Sequence, residues 1–326
     1  MWPFSRPRRR YRLRSSRQQR SSRQRWLRLF AFALICTLFF QACGGSEELS
    51  TGDAAADGGA TTEQVDGKAD DGLGAIAKEH DGDKPTPTPI AVADPAVPVT
   101  GETITYATID GRDITGYLAQ PEVAAENLPA IIAIHEWWGL NENIEAMARR
   151  LAGEGYTVLA VDLYDDAIAT EPTAAKELLR SVMDNPGPAQ DNLFQAQQFL
   201  QETYSAPTLG VVGWCFGGNW SLRAGLLLSD LDAVVIYYGQ LLLAPEALDG
   251  LEAPVLGFFG EADSSIPVED VENFEEILTG LGKPVEINLY PGVGHAFANP
   301  SGQNYDAAAA EDAWDKMTAF FSAQLG

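Results

Sequence analysis

Three residues of the types used for acyl transfer fall at the ends of strand-like runs in the second half of the chain. Cys215 sits in Gly213-Trp214-Cys215-Phe216-Gly217-Gly218, between an apolar run at 209–212 and a helical pattern. A G-x-nucleophile-x-G turn of this kind holds the nucleophile in a strained backbone conformation. Its glycines clear space where side chains would strike the nucleophile or the adjacent helix. The N-terminus of the following helix favours negative charge, and with it thiolate over thiol. Asp263 closes Gly260-Glu261-Ala262-Asp263, and His295 closes Gly292-Val293-Gly294-His295. Nucleophile, acid and base therefore follow one another along the chain. In that chemistry His295 takes the thiol proton and returns it to the leaving group, while Asp263 orients the imidazole and stabilises its charged form. Each residue also has a plainer reading: a buried structural cysteine, a helix cap ahead of Ile266-Pro267, a turn histidine near the surface. The presence of all three at strand ends favours the chemical one.

The elements that must position these residues alternate between strand and helix over 101–326, which is an α/β pattern. An alternating hairpin at 103–119 turns at Asp110-Gly111. Short apolar runs follow at 130–134, 156–161, 209–213, 233–237, 255–259 and 285–289. They are continuous rather than alternating, as in a mostly parallel sheet covered on both faces. Amphipathic helices are predicted between them at 143–152, 174–183, 191–202, 218–228, 268–281 and 306–324. Ligands of such sheets bind beyond the carboxyl ends of the strands, which is where Cys215, Asp263 and His295 fall.

His135-Glu136-Trp137-Trp138-Gly139 follows the run at 130–134, where an α/β-hydrolase places its oxyanion-hole loop. The backbone N–H groups of Trp137 and Phe216 are the expected oxyanion donors. Of the three histidines, His80 lies in a linker-like region, and His295 is a better base than His135. Glu136 has two readings: contact with the resting thiol, or a pair with a nearby donor.

Together these residues resemble the dienelactone hydrolases of the α/β-hydrolase fold across nearly all of 101–326. The resemblance rests on the G-x-C-x-G turn, Glu136-Trp137-Trp138-Gly139, Val161-Asp162-Leu163-Tyr164, Tyr237-Tyr238-Gly239, the segment ending in Asp263 and Gly294-His295-Ala296-Phe297. It implies a Cys215–Asp263–His295 triad, Glu136 touching the resting cysteine, and ester or lactone cleavage through an acyl thioester. In that family an arginine four residues after the histidine helps to hold a substrate carboxylate, and here that place is Asn299. A second arginine has no clear counterpart, although Lys176 and Arg180 lie in the expected region. With 8 basic against 34 acidic residues over 101–326, an anionic substrate gains little attraction. A neutral ester or lactone fits better, with Trp138, Tyr164, Tyr238, Phe297 and Asn299 as expected substrate contacts. Aromatics at such positions serve equally well as core.

The N-terminal third has a different character. Residues 1–42 hold 11 arginines and no acid, whereas the remainder carries a formal charge of −35. The basic stretch at 6–28, the apolar run at 29–40 and small residues around Cys43 predict a signal peptide of lipoprotein type, with lipid attached at Cys43. The apolar run spans roughly a dozen residues, short of the about 20 that cross a bilayer comfortably. Export anchored to the bacterial cell membrane is the implied location. Residues 43–100 are rich in Gly, Ala, Asp, Thr and Pro and predict a solvated, disordered tether. Its Asp-Gly pairs do not match the ligand spacing of a calcium loop.

This charge balance argues against nucleic-acid partners for the mature chain. Two histidines in the domain give no metal-ligand spacing, and the turn lacks a phosphate-loop lysine, so no metal or cofactor is expected. A thiol redox role lacks a partner for Cys215, since the other cysteines are Cys36 and Cys43. A peptidase or acyltransferase built on the same triad, and a non-catalytic binding lipoprotein, are the alternatives to an esterase.

Overall fold

A computed structural model describes residues 73–80, 93–123, 126–299 and 302–326. Strands β1 (Val99–Ile109) and β2 (Arg112–Pro121) form the expected hairpin, lengthened at its outer ends. Asp110 and Gly111 both take positive φ, 51° and 78°, as the tightest hairpin turns require. The remaining strands are β3 (Ala130–Ile134), β4 (Thr157–Val161), β5 (Leu209–Trp214), β6 (Ala233–Tyr237), β7 (Val255–Gly260) and β8 (Val285–Tyr290). Their order across the sheet is β1-β2-β4-β3-β5-β6-β7-β8. The pairs β1/β2 and β2/β4 are antiparallel and all the others parallel. Every residue of β3 to β7 is buried, whereas the edge strands β1 and β8 are partly open. This is why the inner strands read as unbroken apolar runs.

The principal helices are α2 (Glu142–Gly153), α3 (Pro172–Asp184), α4 (Gly187–Thr203), α5 (Phe216–Leu227), α7 (Val268–Gly280) and α8 (Ala307–Leu325); a single turn, α6 (Pro245–Leu248), was not expected. Asn141 caps α2 by accepting from the N–H groups of Asn143 and Ile144, and Asp306 caps α8 by accepting from Ala309 N–H at 2.9 Å. The two faces of the sheet can be told apart along β5. A Cβ on Gly210 would meet Phe321 of α8, and one on Gly213 would meet Gly217 of α5. Residues three apart on a strand point to opposite sides, so α8 covers one face and α5 the other. Helix α2 joins α8, with the Arg150 guanidinium 3.8 Å above the Trp314 ring.

The region assigned to a disordered tether departs from expectation at two places, since Val99 and Thr100 already belong to β1 and a helix lies further upstream. Leu73–Glu79 forms a short helix, α1, and His80 after it is fully buried. Ile76 is buried within the hydrophobic core. Ile76 is the apolar anchor missed in an otherwise polar stretch. The signal peptide, Cys43 and the tether up to residue 72 and over 81–92 lie outside the described residues. Among those described, no helix is long and apolar enough to cross a membrane.

Candidate active site

The turn from β5 into α5 holds Cys215 at φ 55°, ψ −112°, a conformation that costs a non-glycine residue of order 1–3 kcal/mol. It is retained because its neighbours leave no alternative path. Cys215 N–H donates to Tyr237 O at 3.0 Å, and a Cβ on Gly217 would lie 2.2 Å from Ile134 O. The glycine at 217 thus lets α5 start directly against the end of β3. Phe216 opens α5, so its N–H belongs to the first turn, where the helix offers no acceptor.

Cys215 Sγ lies 3.3 Å from His295 Nε2, and His295 Nδ1 lies 2.7 Å from Asp263 Oδ2. Asp263 comes from the loop after β7, and His295 from the loop after β8. The second Asp263 oxygen accepts from Ser265 N–H at 2.8 Å, Ser265 Oγ at 2.6 Å and Ile266 N–H at 3.1 Å. One Asp263 oxygen thus meets His295 while the other fixes the loop ahead of α7, whose N-cap is Pro267 and not Asp263. All three side chains are buried. Burial pushes the Cys215 thiol up, but the His295 charge and hydrogen bond, aided by His80, outweigh it and bring the thiol down to about 6. Burial works against the His295 cation, yet the Asp263 carboxylate and the Cys215 sulfur raise its pKa well above the ordinary value. Burial likewise opposes ionisation of Asp263, and the His295 charge and hydrogen bonds from His295 and Ser265 hold it below the usual carboxylate range. The arrangement favours a thiolate–imidazolium pair backed by a carboxylate.

Glu136 is buried beside the site. Its Oε2 accepts from Asn299 Nδ2 at 2.7 Å and its Oε1 from Tyr238 OH at 3.4 Å. Of its two readings, the donor pair is the one these bonds describe. Asn299 is only 2% exposed and is occupied with that carboxylate, a correction to its assignment as a substrate contact. His135 is fully buried. Its Nε2 accepts from Leu163 N–H at 3.1 Å and its Nδ1 faces Glu136 O at 2.6 Å. Burial lowers its pKa, in keeping with a neutral structural histidine.

A cavity of about 440 Å³ opens on Cys215 and His295. Tyr238 lines it, as expected. Trp138, Tyr164 and Phe297 do not, and this too corrects the sequence reading. Trp138 packs against Trp137, Tyr164 lies between His135 and Phe216, and Phe297 lies between Tyr238 and Tyr290. Each aromatic follows the expected strand end but is buried outside the cavity lining. The walls come instead from Ile76 of α1, from Leu179, Arg180, Met183 and Asp184 of α3, and from Ile266. Helix α3 shows only amphipathic spacing in the sequence, which does not say what its inner face covers. Lys176 is not among the lining residues.

The residue that sequence reasoning missed altogether is His80. Its ring stacks on Trp137 with centroids 4.6 Å apart, and its Nε2 lies 3.6 Å from Cys215 Sγ. Glu79 secures the segment, its Oε1 accepting from Ser264 N–H at 3.2 Å and its Oε2 from Asn304 Nδ2 at 2.9 Å.

Residues 114–325 match the family model described as Dienelactone hydrolase family. The chain belongs to the dienelactone hydrolase family. It is 33% identical over 224 residues to Protein usf of Aquifex pyrophilus, covering 66% of this chain and 96% of that one. It is 34% identical over 237 residues to a Salmonella typhimurium protein provisionally named carboxymethylenebutenolidase, covering 68% and 87% of the two chains. A crystal structure provisionally named dienelactone hydrolase, from Klebsiella pneumoniae, superposes with a TM-score of 0.61 at 26% identity, covering 69% of this chain and 99% of the other. As a dienelactone hydrolase family member, the protein is an ester or lactone hydrolase of the α/β-hydrolase fold.

Proposed function

We propose that the protein hydrolyses a small, uncharged ester or lactone by thiol catalysis, with Cys215 as nucleophile, His295 as general base and acid, and Asp263 as the group that orients His295. The observation that carries this reading is the unbroken chain of contacts from Cys215 Sγ to His295 Nε2 at 3.3 Å and from His295 Nδ1 to Asp263 at 2.7 Å, opening on one cavity. The thiolate attacks the carbonyl carbon, and the electron pair of the C=O bond moves to oxygen. Trp137 and Phe216 N–H are the proposed donors to that oxyanion. As the tetrahedral intermediate collapses, His295 gives its proton to the departing alkoxide and an acyl thioester remains on Cys215. Water then attacks the thioester, His295 takes its proton, and the thiolate leaves. In a lactone the alkoxide stays joined to the acyl group, so the product is a single hydroxy acid.

Two observations support an uncharged substrate. The place where the family carries an arginine is Asn299, which is bonded to Glu136. The cavity lining holds one cationic side chain, Arg180, and one anionic side chain, Asp184, besides Cys215 and His295, so it carries no excess positive charge to attract a carboxylate. We also propose that the chain is exported and held at the bacterial cell membrane by lipid on Cys43, a reading supported by the basic and apolar runs that precede that residue. The test is hydrolysis of short-chain p-nitrophenyl esters and of matched neutral and carboxylated lactones by the full chain, with Cys215→Ala as control. Turnover that disappears in Cys215→Ala and favours the neutral lactones is expected. Turnover retained in Cys215→Ala would overturn the nucleophile assignment, and a preference for carboxylated lactones would overturn the substrate class.

A further inference from the structure

The burial of His80 places three metal-ligating side chains around one point. Cys215 Sγ is 3.6 Å from His80 Nε2 and 3.3 Å from His295 Nε2. The three ligand atoms all lie within 4.8 Å of one another. A tetrahedral ion with a thiolate at about 2.3 Å and imidazoles at about 2.0–2.1 Å spaces sulfur and nitrogen about 3.5 Å apart. The two sulfur–nitrogen separations bracket that value. We propose that His80, Cys215 and His295 form a binding site for Zn²⁺ or an ion of the same class, with the fourth position open toward the cavity.

The surroundings suit such a site. Asp263 holds His295 Nδ1 at 2.7 Å, which leaves Nε2 as the ligating atom and supplies the carboxylate behind a metal-bound histidine that such sites commonly use. His80 is fixed from the other side by stacking on Trp137 and by the anchoring of Glu79 to Ser264 and Asn304. The donor set is one sulfur and two imidazole nitrogens, so it discriminates against Mg²⁺ and Ca²⁺, which require oxygen ligands. Binding takes the thiolate and the lone pairs of the two imidazole Nε2 atoms, so the proton that His295 Nε2 shares with Cys215 passes to buffer. The bound ion occupies the electron pairs that would attack a carbonyl and accept a proton, so the loaded protein does not turn over. It also ties His80, which follows α1 and lies 135 residues from Cys215 in sequence, to the nucleophile. Zn²⁺ is thus a reversible block that acts through the segment preceding the domain. This inference stands whether or not Cys215 proves to be the esterase nucleophile.

The experiment uses the reduced, chelator-washed full chain titrated with Co²⁺ and then with competing Zn²⁺. A thiolate ligand gives cobalt a near-ultraviolet charge-transfer band that the many surface carboxylates cannot produce. One equivalent is expected to develop the band, Zn²⁺ to bleach it, and Zn²⁺ to suppress alkylation of Cys215 by iodoacetamide. Loss of a ligand weakens binding by at least the 10–100-fold seen when a supporting group is removed, so His80→Ala and His80→Gln should each raise the cobalt midpoint by about 100-fold or more. Cys215→Ser should abolish the band, with circular dichroism reporting that each variant is folded. Absence of the band, its persistence in Cys215→Ser, or an unchanged midpoint in a folded His80 variant would overturn the site.

Discussion

The thiolate–imidazolium pair predicts how Cys215 reacts as pH falls. His295 and His80 bring its pKa from an ordinary 9.0 to about 6 against the opposing effect of burial. A shift of that size represents about 4 kcal/mol of preference for the thiolate. At pH 7 about 90% of Cys215 is then ionised, against about 1% of an ordinary thiol; at pH 5 the fractions are about 9% and 0.01%. Intrinsic nucleophilicity falls with pKa with a Brønsted coefficient of about 0.4–0.5, which over three units costs a factor of about 15–30. The net advantage over an ordinary thiol is therefore only about fourfold at pH 7, and it grows to about 40-fold at pH 5. The shape of the profile is more diagnostic than the rate at any one pH. The assay is the release of thiopyridone from 2,2′-dipyridyl disulfide between pH 4 and 10 in the presence of chelator. Rates for Cys215→Ala are subtracted to remove the contribution of Cys36 and Cys43. The rate should rise through an inflection near pH 6 and level off above pH 7. In His295→Gln the attraction is lost and burial remains, so the inflection should move above pH 8. An inflection above pH 8 in the unaltered protein, or one still near 6 in His295→Gln, would refute the electrostatic reasoning.

Two stability experiments probe the scaffold of the site. Gly217→Ala drives a methyl group to within 2.2 Å of Ile134 O and 2.6 Å of His135 O, both backbone atoms at the end of β3. It should cost at least about 2 kcal/mol, read as a lower urea midpoint, and an unchanged midpoint would mean that α5 does not start so close to β3. Asn299→Ala removes the 2.7 Å donor to the buried Glu136 and should cost about 2–3 kcal/mol, again read by urea denaturation. A raised KM with unchanged stability would instead restore Asn299 as a substrate contact.

What the sequence discloses here follows from where side-chain environment is dictated by local pattern. The runs at 130–134 and 233–237 coincide with β3 and β6, and the other inner strands differ by a residue, because strands buried on both faces leave no polar position to blur their ends. That Cys215, Asp263 and His295 come together is legible for a related reason. A side chain that must reach its neighbours from a strand's carboxyl end needs a short, glycine-marked turn, and the glycines at 213, 217, 260, 292 and 294 advertise it. The cavity walls were not legible, since a strand end fixes where an aromatic starts and not which way its ring leaves. Tyr238, at φ 35°, lines the cavity, whereas Phe297, just after Ala296 at φ 57°, turns under Tyr238.

His80 marks a deeper limit. No spacing rule links residues so far apart, and the composition around it is that of a solvated linker. The local trace is Leu73 and Ile76, three apart as on one helix face, in a stretch otherwise almost devoid of large apolar residues. A buried Ile76 in a polar segment implies something for it to pack on. Here Ile76 shares the cavity wall with Leu179, Met183 and Ile266, and the helix it anchors delivers His80 to the sulfur. The consequence for substrate access is specific. The cavity over Cys215 is walled by Ile76 of α1 and by Leu179, Arg180, Met183 and Asp184 of α3, so residues of these two helices, outside the Cys215–His295–Asp263 chain of contacts, are positioned to select what enters.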